Sequence, residues 1–153
     1  MTAVRATDGD SQVRAFELMA LSYQAAASVL TNLGEADLAW IAAERGLTAA
    51  QRSDSRVILG SLFRSVAHTL LATGRFQPAV QLVSRAADVL GGSIGIADNA
   101  MLLVYGSLFL TGAMAASRAD DRQTTRAFLA EAHDTAQPAR RGRELHVDRL
   151  RAN

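Results

Sequence analysis

Three stretches of this chain place small residues at the same distances from a turn, and that regularity limits the fold more than any other feature. The copies "LGEADLAWIAAERGL" and "TGRFQPAVQLVSRAADVL" show it first. With Gly34, Gly74 and Asp120 in register, an aromatic stands eleven residues before each turn: Tyr23, Phe63 and Phe109. Seven residues before each turn stands Ala27, Ala67 or Ala113. Five residues after come Ala39, Ala79 and Thr125; nine after, Ala43, Val83 and Leu129; twelve after, Gly46, Ala86 and Ala132. Small residues at facing positions let two antiparallel helices approach closely, and the aromatic fills the wider gap to the next pair. A lone hairpin cannot bury both faces, so each copy serves as the wall for its neighbour.

The segments between the turns carry apolar residues at helical steps of three and four. Phe16, Met19, Ala20, Tyr23, Ala27 and Leu30 follow one another in this way before the first turn, and Ile58, Leu62, Phe63, Val66 and Leu70 before the second. No strand-like alternation runs for more than a few residues. Only two prolines occur, and Pro78 falls in a first helical turn, where its missing N–H does little harm. Ser53 or Asp54 is the expected cap of the third helix. The expected fold is all-α: antiparallel hairpins stacked as a short solenoid of three divergent repeats. Residues 12–137 form the helical-repeat domain, 1–11 a disordered N-terminus, and 138–153 an Arg-rich C-terminal tail or capping helix.

Composition adds exclusions. The formal net charge is +1, so no large field marks a nucleic-acid or membrane partner. There is no cysteine, which removes disulfides and thiolate metal sites. The first dozen residues lack an apolar core of a secretory signal, so a cytoplasmic location is expected. Asn99–Ser117 carries no charged side chain and has membrane-span length, but it fills a repeat slot and is rich in small residues; a buried helix is expected. "GGSIG" lacks the strand, lysine and spacing of a phosphate loop and reads as linker. His68, His133 and His146 are scattered, with no metal-ligand spacing and no nucleophile–base set. No enzyme, cofactor or metal is expected. In the tail, five arginines are interleaved with Glu144 and Asp148, which suits a solvated mixed-charge helix better than direct DNA contact.

The aromatic of the first helix, the small residue four later, the turn glycine and the small residues of the second helix resemble the tetratricopeptide repeat. The copies depart from it in lacking an exit proline and, in the third copy, in having Asp120 and Thr125 where Gly and Ala stand in the others. Over residues 13–137 the wording is also similar to the tetratricopeptide-type regulatory half of actinobacterial helix-turn-helix (XRE-type) transcription regulators. The resemblance implies a regulatory module that binds a protein or ligand, without the family's DNA-binding domain in this chain. The alternative is a structural module that dimerises through its exposed ends, and a homodimer is expected.

The resemblance also marks an inner face on the first helix of each pair. Its positions in the third copy are Ser107, Leu110, Met114, Ser117 and Arg118. The candidate ligand-binding residues on that face are Gln24, Asn32, Arg64, His68 and Arg118. Arg64 and His68 lie one turn apart. An Arg fork there suits the carboxylate of a peptide or small acidic ligand, with His68 as a second donor.

Overall fold

The structure is a computed structural model that describes the backbone of residues 2–91 and 99–151 and the side chains of residues 9–91 and 99–137. It is all-α. Among the described residues there are six helices and no strand: α1 (Thr2–Asn32), α2 (Ala36–Gln51), α3 (Arg56–Ala72), α4 (Phe76–Gly91), α5 (Asn99–Arg118) and α6 (Arg122–Arg151).

The connections α1–α2, α3–α4 and α5–α6 share one geometry. The residues in the left-handed region are Gly34 (φ 78°), Gly74 (φ 75°) and Asp120 (φ 59°), the three positions on which the sequence was aligned. Each turn closes the preceding helix with the same pair of bonds. The left-handed residue donates to the carbonyl three before it, as Gly34 to Thr31 (3.1 Å), Gly74 to Leu71 (3.2 Å) and Asp120 to Ser117 (3.3 Å). The next residue donates to the carbonyl five before it, as Glu35 to Leu30, Arg75 to Leu70 and Asp121 to Ala116, at 2.8–2.9 Å. This is the Schellman pattern. That same next residue then caps the following helix: the carbonyls of Glu35, Arg75 and Asp121 accept from Ala39, Ala79 and Thr125. A helix therefore stops and its partner starts within three residues, which leaves no slack between the two.

Each helix packs on the next in the chain from α1 to α6, and α3 also packs on α1 and α5. The odd-numbered helices thus lie side by side with α3 in the middle. Ala27, Ala67 and Ala113 are buried where their hairpins close. Ala39, Ala43, Gly46, Ala79, Val83 and Ala86 are buried opposite them. The seams are tight enough that a methyl group at Gly46 would lie 2.7 Å from Leu62 Cδ1. One at Gly112 would lie 2.8 Å from the Phe128 ring and from Val83 Cγ1. The apolar character of α5 is used here. Its mean hydropathy of 1.6 makes it the one described helix long and apolar enough to cross a membrane, and half of that stretch is buried inside the fold.

The third copy differs from the other two beyond its turn, and the α3 cap and the outer limits of α1 and α6 differ from those expected. Leu129, aligned with the buried Ala43 and Val83, is 47% exposed. Val83 reaches the first helix of the following hairpin, where it borders Gly112. Among the described residues no further helix packs on the Leu129 side of α6. The neighbouring Phe128 turns inward instead and meets Phe109, with ring centroids 5.4 Å apart. Thr125 is half-buried rather than buried. The cap of α3 is Ser55, which accepts from the Ile58 amide at 3.3 Å, while the Ser53 hydroxyl donates to the Ala50 carbonyl. α1 begins at Thr2, so helix extends through most of the segment expected to be disordered. α6 runs on through Pro138 to Arg151, so the tail backbone continues that helix. Pro138 has no backbone N–H to donate within that helix. The linker expected at "GGSIG" and the charge pattern of the tail side chains lie outside the described residues, apart from the half-buried Gly91.

Candidate functional site

Because α3 is flanked by α1 and α5, only one strip of it is free. Leu62, Phe63, Val66, Ala67 and Leu70 point inward and are buried. Ser61, Arg64 and His68, at steps of three and four, form the outward strip and are half-buried. The equivalent strip of α1 carries Gln24, Ser28, Thr31 and Asn32. Between the two strips lies an open recess of about 240 Å³, lined by Gln24, Ser28, Thr31, Asn32, Arg64, Ser65 and His68. Four of the five expected site residues meet there.

The lining is held at both edges. Gln24 Nε2 donates to Ser61 Oγ at 2.6 Å, which ties α1 to α3. His68 Nε2 lies 3.3 Å from Thr111 Oγ1 on α5. The Thr111 hydroxyl donates to the Ser107 carbonyl (3.0 Å), so toward the ring its oxygen accepts. His68 Nε2 is on that assignment the donor, and the neutral ring keeps only an acceptor at Nδ1. The role of second donor expected of His68 then depends on its protonation. The ring supplies a second donor to an anion only when protonated. Burial, and then the neighbouring Arg64 guanidinium, hold its pKa below the ordinary 6.5.

Among the described residues no carboxylate lines the recess, and Arg64 has no acidic partner. Every other lining group is neutral and polar. A half-buried guanidinium surrounded by hydroxyl and amide groups is suited to an anion that brings its own charge and accepts several hydrogen bonds. Ser28, Thr31 and Asn32 of α1 complete the lining, and the Thr31 hydroxyl donates to the Ala27 carbonyl at 2.8 Å.

Arg118, the fifth expected residue, is elsewhere. Its guanidinium lies over the Phe76 ring, 5.9 Å from the centroid, where it links the end of α5 to the start of α4. Sequence reasoning placed it on the inner face through its offset from Asp120. The last residue of a helix can swing toward the neighbouring turn, and the aromatic there captures it. Ser65 and Thr111 were not anticipated. Ser65 lies at the margin of the outward strip, and Thr111 is buried on α5. Both depend on which helix edges meet, and no spacing within a single helix signals that.

No group of three or more His, Asp or Glu residues with metal-holding geometry occurs among the described residues. Comparison of the chain with family models, with curated proteins and with solved structures gives no match.

Proposed function

We propose that this protein is a helical-repeat binding module of the tetratricopeptide kind, whose inner face takes a carboxylate-bearing ligand. Arg64 carries the reading: a half-buried guanidinium without an acidic partner among the described residues, in a recess lined otherwise by neutral polar groups. The recurrence of one turn at three aligned positions, and the side-by-side packing of α1, α3 and α5, support the stacked-hairpin part. A place in the regulatory half of a transcription regulator rests on the sequence resemblance. A charge-assisted contact of this type contributes on the order of 1.5–3 kcal/mol, so Arg64→Ala should weaken carboxylate binding roughly tenfold to a hundredfold. Its melting temperature should stay near wild type, since the side chain is on a free face. An Arg64→Ala protein that melts early and binds carboxylates normally overturns the reading.

A second reading is favoured by the surface of the first hairpin. Leu18, Val29, Leu33 and Leu38 are all more than half exposed there. Self-association through this hairpin would cover them. Leu33→Glu with Leu38→Glu should then convert a dimer into a monomer in sedimentation experiments. A wild-type protein that sediments as a monomer at high concentration removes this reading.

A further inference from the structure

His68, in the lining of the recess, also touches α5. Thr111, which His68 touches, lies on the edge of α5 that faces α3. Met114 follows it by one turn on that same edge, and Leu110 sits beside it on the outward surface. Both are large and apolar, and they are 45% and 50% exposed. An exposed apolar pair on α5 therefore stands on the helix next to the α3 strip that carries Arg64 and His68. In α3 the equivalent outward positions are Arg64 and His68, so the change from polar to apolar happens in passing from one helix to its neighbour.

We infer that the ligand is a small amphiphile with one carboxylate and a short aliphatic tail, its head on Arg64 and its tail on Leu110 and Met114. This rests on the carboxylate reading above and narrows it. Charge argues for a single acidic group. Among the described residues Arg64 is the one permanent cation lining the recess, since no other charged side chain lines it and burial and Arg64 favour the neutral form of His68. Size argues for a compact head. About 240 Å³ is below the usual range of about 300–1,000 Å³ for pockets that enclose a whole small molecule, so the remainder of the ligand must lie outside, across Leu110 and Met114. The adaptable Met114 suits a tail without a fixed shape.

The test uses the full chain and four probes: acetate, octanoate, octanol and an acidic peptide. Binding is followed by NMR titration of the Met114 methyl and the His68 ring. Octanoate carries a chain about six methylenes longer than acetate, and one-sided contact with Leu110 and Met114 should tighten its binding on the order of thirtyfold. The Met114 methyl should shift with octanoate and not with acetate. In a Leu110→Ser, Met114→Ser variant, octanoate should fall to the acetate level while acetate binds as in wild type. Both side chains are half-exposed, so this variant should fold, and its melting curve checks that. Octanoate no tighter than acetate, octanol as tight as octanoate, or a gain that survives in the double variant each overturn the inference. An acidic peptide that binds through Arg64 while octanoate does not exceed acetate overturns it too, and leaves the carboxylate reading standing. No carboxylate binding that depends on Arg64 overturns both.

Discussion

The second and third hairpins close in the same way and then diverge. α3–α4 and α5–α6 share the left-handed turn residue, the same two closing bonds and a buried alanine seven residues before the turn. Beyond the turn, Val83 is buried and its counterpart Leu129 is not. On the outward surface, Arg64 and His68 of α3 stand where α5 has Leu110 and Met114. The likeness lies where each hairpin makes contacts of its own, and the difference lies where it meets a neighbour or solvent. Packing within a hairpin repeats because its geometry repeats. The outer face is free to differ, and there the chemistry has room.

The sharpest test of the shared part is to overfill it. Ala67 and Ala113 are buried at equivalent seams, so Ala67→Leu and Ala113→Leu should each cost about 3 kcal/mol, the upper end for overpacking. Denaturant titration measures both. A cost below about 0.5 kcal/mol at either site would break the equivalence of the two seams.

The difference in outer faces is tested by the two arginines. Arg64→Ala should lose carboxylate binding tenfold or more, whereas Arg118→Ala should bind as wild type, because Arg118 rests on Phe76 outside the recess. Equal losses at both positions would mean that the inner face acts as one long site.

The turns offer a smaller contrast of opposite sign. A methyl at Gly74 would meet nothing within 4 Å, so Gly74→Ala isolates the cost of the left-handed backbone. That should be about 1 kcal/mol of stability. Asp120 already occupies the same region with a side chain, so Asp120→Gly should change stability by only a few tenths of a kcal/mol, toward stabilisation. Thermal melting of both variants decides whether the two turns are equivalent in energy as well as in shape.

The smallest effect comes from His68. Its pKa is lowered on folding, mainly by burial and then by Arg64, so the folded chain binds that proton less readily than the unfolded one. The contribution of neutral His68 to stability is complete above about pH 6.5 and is lost as the pH falls through its lower folded value. His68→Gln should flatten that decline in the melting temperature. Carboxylate affinity should move the other way, rising over the same window as the protonated ring gains a second donor. Stability and affinity that fall together on acidification would break the assignment of Nε2 to Thr111.

Much of the hairpin geometry was legible because it depends on residues close in sequence. A left-handed residue after a helix, an alanine seven before it and an alanine five after it set a turn and a seam without reference to the rest of the chain. The outward strip of α3 was legible for the same reason, since residues at steps of three and four share a face wherever the helix goes. Arg118, Phe128 and Thr111 were not legible. Arg118 found an aromatic forty-two residues earlier, Phe128 turned into the space that Gly112 leaves, and Thr111 became the partner of a histidine on another helix.

By itself, then, the sequence determined the succession of the helices and the positions of the three turns, though not the outer limits of α1 and α6, as local consequences of backbone preference and helical periodicity. Only the tertiary structure decided that Gln24, Asn32, Arg64 and His68 share one recess, that no carboxylate of the described residues lines it, and that His68 meets Thr111 of α5. Those facts depend on the stagger of α1, α3 and α5. Side-chain packing between helices sets that stagger, and a shift of one turn would part residues that lie far apart along the chain.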